Sequence, residues 1–94
     1  MGYEVFYHPE IAKDLHRIPQ NIKETIKRAI EERLLNDPAV VSQPLKRGLK
    51  GYRKLRVGDY HVIHKIHGNS ILILKIGHRK EVYKKILSRI NWPQ

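Results

Sequence analysis

The sequence contains no cysteine, and this absence excludes several classes of protein. Without thiols the chain can have no disulfide scaffold, no thiolate zinc site and no cysteine nucleophile. Long apolar runs are also missing, since no stretch approaches the roughly 18 apolar residues of a membrane span. Residues 1–10 do not show the basic-then-apolar pattern of a secretory signal. We therefore expect a cytoplasmic protein without a membrane partner.

Acidic residues are scarce in the second half of the chain. Residues 1–43 contain six Lys/Arg and seven Asp/Glu, a net charge of −1, whereas residues 44–94 contain thirteen Lys/Arg and only two acids, a net charge of +11. A surface of mixed charge would not be divided in this way. The asymmetry predicts a binding surface for a polyanion such as nucleic acid. The alternatives are a basic protein that is kept soluble by its charge and one that is neutralised by an acidic protein partner.

The same scarcity limits the possible chemistry. The basic half has no pair of carboxylates for a glycosidase-like or two-metal site. The six histidines form no HExxH motif. His61, His64 and His67 recur at every third position, and in a strand this spacing alternates their faces, so they cannot converge on one ion. We therefore expect neither a metal nor an organic cofactor.

At 94 residues the chain is long enough for one domain, which we assign to residues 1–94. Its start is rich in aromatic and β-branched residues over 3–7, which predicts a strand. Apolar residues at spacings of three and four then predict a short helix that ends before Pro19. Asn21 followed by Glu24 resembles a capping box and predicts that a second amphipathic helix begins there and continues to about Leu35.

The second half changes to a period of two. Residues 36–51, with two prolines and two glycines, are predicted to form a loop with little regular structure. Alternating runs at 52–57, 60–67 and 70–77, joined by short turns, predict an antiparallel meander. Helical spacing over 79–90 predicts a last helix. The expected fold class is α+β: an N-terminal strand, a helix hairpin, a three- or four-stranded antiparallel sheet and a C-terminal helix.

The basic half offers Lys, Arg, His and Tyr, a set that suits one common reaction without a cofactor, the transesterification of RNA. The 2′ hydroxyl is an internal nucleophile, so the protein must remove its proton, stabilise charge on the phosphorane and protonate the leaving 5′ oxygen. Arg and Lys can stabilise the charge, and His or Tyr can transfer protons. Alternation places Lys54 and Arg56 on one face of their strand, where cations from adjacent strands can gather. This face is therefore predicted to receive phosphates.

The chain resembles the RelE/ParE toxins over nearly its whole length. Residues 52–63, YRKLRVGDYHVI, are similar to the central signature of that family, and residues 77–83, GHRKEVY, to its second signature. The segments HPEIAKDL at 8–15 and LLNDP at 34–38 match the usual N-terminal half of these toxins. The resemblance implies an α+β toxin that is inhibited by an antitoxin encoded beside it. In the RelE branch it implies cleavage of mRNA in the A site of the 30S ribosomal subunit.

Carried over by position, Lys54 and Arg56 match basic active-site residues, Arg79 matches the arginine that stabilises the phosphorane, and Tyr83 matches a tyrosine that orients the nucleotide. The sequence departs from the family at His61, where Arg is usual, and at Tyr52, where some nucleases have Lys. Histidine titrates near neutrality, which arginine cannot. The predicted catalytic residues are Lys54, Arg56, His61, His78, Arg79 and Tyr83. The predicted RNA-binding residues are Lys46, Arg47, Lys50, Arg53, Lys80 and Lys84.

Three alternatives remain open. The ParE branch of the family inhibits gyrase and does no RNA chemistry, although its members tend to lack the residues that Arg79 and Tyr83 match. A non-catalytic nucleic-acid-binding module would explain the charge equally well, but not the presence of both signatures. A protein of the same fold that has lost its activity is the third alternative, because His61 departs from the family pattern.

Overall fold

The computed structural model describes residues 2–45 and 49–93, which fold as an α+β protein as expected. The elements in chain order are β1 (Glu4–Tyr7), α1 (Ile11–His16), α2 (Gln20–Ala29) continued by a π-helical turn (Ile30–Leu34), α3 (Pro38–Val41), β2 (Gln43–Pro44), β3 (Tyr52–Val57), β4 (Tyr60–His67), β5 (Ser70–His78) and a 3₁₀ helix (Ile86–Ser88). No helix in these two ranges is long and apolar enough to cross a membrane.

The strands form one five-stranded sheet in the order β1-β5-β4-β3-β2. The predicted meander of β3, β4 and β5 is confirmed, with β5 one residue longer than expected. The sheet also contains two strands outside the meander: β2 extends it antiparallel to β3, and β1 pairs in parallel with β5. A parallel pair requires a long crossover connection, to which the helix hairpin belongs.

The helix hairpin covers one face of the sheet. Ridges of isoleucine and leucine from α1 and α2 pack on the inward-facing residues of the strands, as their helical and twofold spacing predicted. This larger core contains Ile11, Ile18, Ile26, Ala29, Ile30, Leu34, Leu55, Val57, Val62, Ile71, Ile73 and Ile76. The opposite face is therefore available for the C-terminal residues and for the site.

The edge of β5 is completed by an ion pair instead of a strand. The pairing of β1 with β5 ends at Tyr7, so the last residues of β5 need other partners for their backbone groups. Asp14 Oδ2 accepts a hydrogen bond from Ile76 N at 3.0 Å, and Arg89 donates to the Leu74 carbonyl oxygen at 3.1 Å. These bonds attach α1 and the C-terminal residues to the same stretch of β5.

Two local predictions in the first half are wrong. Asn21 does not cap α2, because the helix begins at Gln20 after Pro19 and its start has no side-chain cap. Proline supplies the extended backbone that precedes the first helical turn, so the boundary lies earlier than the Asn21/Glu24 pattern indicated. Residues 36–51 are more regular than expected, since Pro38 begins the short helix α3 and Gln43–Pro44 adds a short strand to the sheet.

The predicted C-terminal helix over 79–90 is also wrong. We call residues 79–93 the C-terminal segment. It forms successive turns with only one 3₁₀ helix, and Lys85 has a left-handed backbone with φ of 57°, which interrupts helical geometry. Val82 and Ile86 nevertheless pack on Ile63 in a second small core. Burying each of these side chains contributes about 1.5–3 kcal/mol. The helical spacing of apolar residues therefore identifies the buried side chains, although the backbone is not a helix.

Candidate active site

The candidate site lies where β3 and β4 meet at their turn, on the face opposite the helix hairpin. Arg56 pairs with His61 across β3 and β4, and His61 pairs with Gly77 of β5. Lys54 lies two residues before Arg56 and therefore on the same face. The next residue along this face of β4, Ile63, is covered by the C-terminal segment. The sheet and the segment thus bring Lys54, Arg56 and His61 beside residues 79–83.

The central contact joins His61 to Tyr83. The distance between His61 Nδ1 and the Tyr83 hydroxyl oxygen is 3.0 Å, and the two rings meet edge-on with centroids 5.9 Å apart. The residues differ in exposure, because His61 is 8% exposed and Tyr83 is 36% exposed. Tyr83 is thus the member of the pair that is more open to a bound molecule.

Burial and neighbouring cations set the protonation states of this pair. Burial lowers the pKa of His61, and the positive charges of Lys54, Arg56 and Arg79 lower it further. Burial also raises the pKa of Tyr83. Near neutral pH the imidazole is therefore neutral and the hydroxyl keeps its proton. Such a pair can accept one proton from a third group.

Arg79 is attached to the site by its backbone, while its guanidinium is held only loosely. Its amide donates to the Asp59 carbonyl oxygen at 2.8 Å, and its Nε lies 3.7 Å from Asp59 Oδ1. Both side chains are more than half exposed, so the ion pair is weak and the cation is available to an anion. Sequence reasoning missed this role of Asp59. The available signal was its place as one of only two acids in the basic half.

His78 does not join the others. It pairs with Tyr60, so the alternation of β5 directs it to the face opposite His61. Its ring packs edge-on against Tyr60 with centroids 5.6 Å apart, and its Nδ1 accepts a hydrogen bond from Lys80 N at 3.2 Å. Five of the six predicted catalytic residues therefore lie together, whereas His78 lies on the other face and reaches His61 through its charge, which also lowers the pKa of His61.

The predicted RNA-binding residues are dispersed. Lys50, Lys80 and Lys84 are exposed. Arg53 lies on the other face of β3, where its guanidinium donates to the Ser42 hydroxyl at 2.8 Å and to the carbonyl oxygens of Ala39 and Ser42 at 3.0 and 2.8 Å. Its bonds hold the α3–β2 connection to the sheet. Lys46 and Arg47 lie outside the described residues.

Tyr52 and the remaining strand histidines have structural surroundings. The Tyr52 hydroxyl donates to the Ile90 carbonyl oxygen at 2.7 Å, which fastens the C-terminal segment to β3. His64 is fully buried, whereas His67 is exposed. Within residues 2–45 and 49–93, no group of three or more His, Asp or Glu side chains is arranged to hold a metal ion.

Comparisons with known proteins agree with this architecture. A family described as the ParE toxin of type II toxin-antitoxin systems, parDE, matches residues 5–83. The chain is 32% identical over 84 residues to the toxin RelE3 of Methanocaldococcus jannaschii, which covers 85% of this chain and 94% of that protein. It is 29% identical over 87 residues to the toxin RelG of Mycobacterium tuberculosis, which covers 90% of this chain and 100% of that protein.

A solved structure gives the same result for the fold. The chain superposes on a subunit of the toxin-antitoxin complex RelBE2 from Mycobacterium tuberculosis with a TM-score of 0.78 and 28% sequence identity. The match covers 84% of this chain and all of that subunit.

Proposed function

Since the chain belongs to the ParE toxin family of type II toxin-antitoxin systems and has RelE toxins as relatives, we propose that it cleaves mRNA by attack of the RNA 2′ hydroxyl. The observation that carries the proposal is the 3.0 Å contact between His61 and Tyr83 amid three cations. The pair can accept the 2′ proton and the positive charges can stabilise the phosphorane, which are two of the three tasks of this reaction, and no cofactor takes part.

In the proposed mechanism the pair acts as a proton relay. The Tyr83 oxygen accepts the 2′ proton while the hydroxyl passes its own proton to His61 Nδ1, so that the imidazole becomes positively charged. The freed 2′ oxygen forms a bond to phosphorus and the bond to the 5′ oxygen breaks. The leaving 5′ oxygen takes a proton from water, the imidazolium of His61 then returns its extra proton to solvent through Tyr83, and the product keeps a 2′,3′-cyclic phosphate. The neutral state of His61 near pH 7 is what permits the first step.

The cations stabilise the phosphorane. Arg79 is exposed and only loosely paired with Asp59, so it can turn toward an incoming phosphate. Lys54 and Arg56 extend from the sheet on the same side as His61. Positive groups placed before the reaction act most strongly where charge develops, and removing one such donor typically costs about 2.7–4 kcal/mol.

The proposal includes two macromolecular partners. The related RelBE2 subunit was solved as a toxin-antitoxin complex, which supports a cognate antitoxin for this chain. The basic half, with its net charge of +11, suits the phosphate-rich A site of the 30S subunit, where we place mRNA cleavage in the cytoplasm. Inhibition of gyrase is the alternative within the family. The placement of Arg79 and Tyr83 beside His61 favours the nuclease.

The test is a cleavage assay on ribosomes programmed with a defined mRNA, followed by analysis of the product ends. We expect 2′,3′-cyclic or 3′-phosphate ends with 5′ hydroxyls, and no cut where the nucleotide before the scissile bond is 2′-deoxy. Arg79→Ala is expected to slow cleavage about a hundred- to a thousand-fold. Arg28→Ala, which removes an exposed cation from α2, is the matched control and should leave the rate unchanged.

Two results would contradict the proposal. Products with 5′-phosphate ends, or cleavage of the 2′-deoxy substrate, would exclude attack by the 2′ hydroxyl. Gyrase inhibition without RNA cleavage would assign the chain to the other branch.

A further inference from the structure

A basic cavity separate from the candidate active site lies between α1, the end of β5 and the C-terminal segment, and we call it the terminal cleft. Its volume is about 660 Å³, and none of the five converging residues of the candidate active site lines it. Its buried wall is the ion pair of Asp14 and Arg89, whose atoms approach to 2.6 and 2.9 Å and whose side chains are each 8% exposed.

The cations of the terminal cleft outnumber its acids. Nine charged residues line it: Lys13, Arg17, Lys75, Lys84, Lys85, Arg89, Glu10, Asp14 and Glu81. Two of the acids are already engaged, Asp14 with Arg89 and Glu10 with Lys13 at 3.7 Å. Four cations thus face the single carboxylate of Glu81. In the part of the chain that the structure describes, none of these four lies within 4.0 Å of a carboxylate oxygen.

Lys75 is the centre of this crowding. Its ammonium donates to the Lys84 carbonyl oxygen, which leaves its positive charge without a counter-ion. Burial lowers the pKa of Lys75, as do the charges of Arg89, Lys85 and Arg17, with only Asp14 acting in the opposite direction. Cations held this close repel one another, and a bound anion with several oxygens would relieve the repulsion.

We propose that the terminal cleft is a second phosphate-binding site, which holds a backbone phosphate of the RNA away from the bond that is cut. That the ligand is RNA rests on the proposed function, whereas the binding of a phosphate is inferred from the charges of the cleft alone. Because Tyr83 of the active site directly precedes Lys84 of the cleft, the C-terminal segment connects the two. An RNA strand bound at Tyr83 therefore passes the cleft within a few nucleotides. Binding there fixes the register of the strand.

The experiment uses a short single-stranded 2′-O-methyl RNA, which has no free 2′ hydroxyl and cannot be cleaved. Its affinity for the full chain is measured by fluorescence anisotropy over a series of NaCl concentrations. Two variants remove positive charge from the cleft. Lys75→Gln removes one cation, and Arg17→Gln/Lys85→Gln removes two at exposed positions, where the fold should be unchanged. The matched controls are Lys27→Gln and Lys23→Gln/Lys27→Gln, which remove the same charge from α2.

The expected result is a change in salt dependence. For single strands the slope of log affinity against log salt is about −0.7 for each phosphate contact, so the cleft variants should lose about 0.7 from the slope. The controls should keep the slope of the unmodified chain. Equal slopes in cleft variants and controls would overturn the proposal.

Inorganic phosphate distinguishes the two sources of the anion. Titrated into the isotope-labelled chain, it should shift the amide resonance of Ile76, next to Lys75, in the unmodified chain and not in Lys75→Gln. If phosphate causes these shifts but the salt slope of RNA affinity is the same in the cleft variants, the ligand of the cleft is a free phosphate and RNA is excluded. Because the probe is never cleaved, a failure of the nuclease mechanism leaves this measurement intact and separately readable.

Discussion

His61 places a side chain that titrates near neutrality in a site where the family usually has arginine. Its imidazole is nearly buried behind Tyr83, and both the burial and the surrounding cations lower its pKa. The consequence is a base that is already neutral below pH 7. In the proposed mechanism this departure gives the site a histidine to accept the proton, and it leaves the site with one positive charge fewer.

The pH dependence of cleavage tests this interpretation of His61. Below its pKa the ring is protonated and cannot accept the proton from Tyr83, so the rate should rise with pH through an acidic limb below about 6.5 and then level off. His61→Gln should lower the rate and abolish the limb while RNA affinity stays nearly the same. His78→Gln is the control, because His78 lies on the other face, and the limb should persist in it. Persistence of the limb in His61→Gln would remove histidine from the mechanism.

His64 gives the fold a sensitivity to acid. Its Nδ1 lies 2.9 Å from the Val62 carbonyl oxygen, and its buried Nε2 has no hydrogen-bond partner among the described residues. Burial lowers its pKa to about 4. In the unfolded chain His64 has an ordinary pKa near 6.5, so between about pH 6.5 and 4 it is protonated there but neutral in the folded chain. Stability is therefore lost as pH falls from about 6.5 toward 4.

We expect His64 to account for about 2 kcal/mol of the free energy of unfolding that is lost between pH 7 and pH 5. Urea unfolding at the two pH values should show this loss in the unmodified chain and a much smaller one in His64→Leu. His67→Gln, which changes an exposed histidine, should keep the full pH difference. An equal difference in His64→Leu and the unmodified chain would contradict the assignment.

At the scale of elements, the C-terminal segment depends on tertiary anchors because it has little helix of its own. Val82 and Ile86 pack on Ile63, and the buried pair of Asp14 and Arg89 fastens the segment to α1 and to the free edge of β5. Without these anchors the turns that carry the active-site residues would have few interactions to hold them. The element is therefore stable only in its docked position.

The Asp14–Arg89 pair should be costly to break. Asp14→Ala leaves the Arg89 charge buried and uncompensated, which typically costs about 3–5 kcal/mol. The matched control is Lys13→Ala, which breaks the exposed pair with Glu10 and should cost about 0–1 kcal/mol. Denaturant unfolding measures both. If Asp14→Ala is no more destabilising than Lys13→Ala, the pair does not anchor the segment.

In the whole molecule, the two halves of the sequence, which differ in net charge, supply different parts of the fold. The half with net charge −1 supplies the helix hairpin, while the half with net charge +11 supplies three strands of the sheet and the C-terminal segment. The basic half thus supplies all five converging residues of the candidate site, whereas the terminal cleft also takes Lys13 and Arg17 from the first half. This arrangement suits a toxin whose target is rich in phosphate.

Induced alone in a bacterial host, the chain should arrest growth, because no antitoxin is present to inhibit it. Arg79→Ala should relieve the arrest, since the loss of about a hundred-fold or more in cleavage rate spares most mRNA. Arg28→Ala, which removes an exposed cation from α2, should remain toxic. Growth curves with matched protein levels measure this. Arrest that is unchanged by Arg79→Ala would count against a catalytic role for that residue.

Sequence patterns alone were enough to establish the strands of the meander, the charge asymmetry and the family. Alternation over residues 52–57 and 60–67 predicted both strands to the residue, because a half-buried strand repeats its pattern every two positions. The two signatures also named Lys54, Arg56, Arg79 and Tyr83. These are local patterns, which a short window of sequence contains in full.

Which of these residues come into contact depends on how the chain folds. The contact of His61 with Tyr83 joins residues 22 apart in the chain, and the pair of Asp14 and Arg89 joins residues 75 apart. His78 lies on the opposite face because of its register with Tyr60. The expected last helix failed for the same reason: apolar spacing shows which side chains are buried, whereas packing on the sheet determines the backbone that carries them.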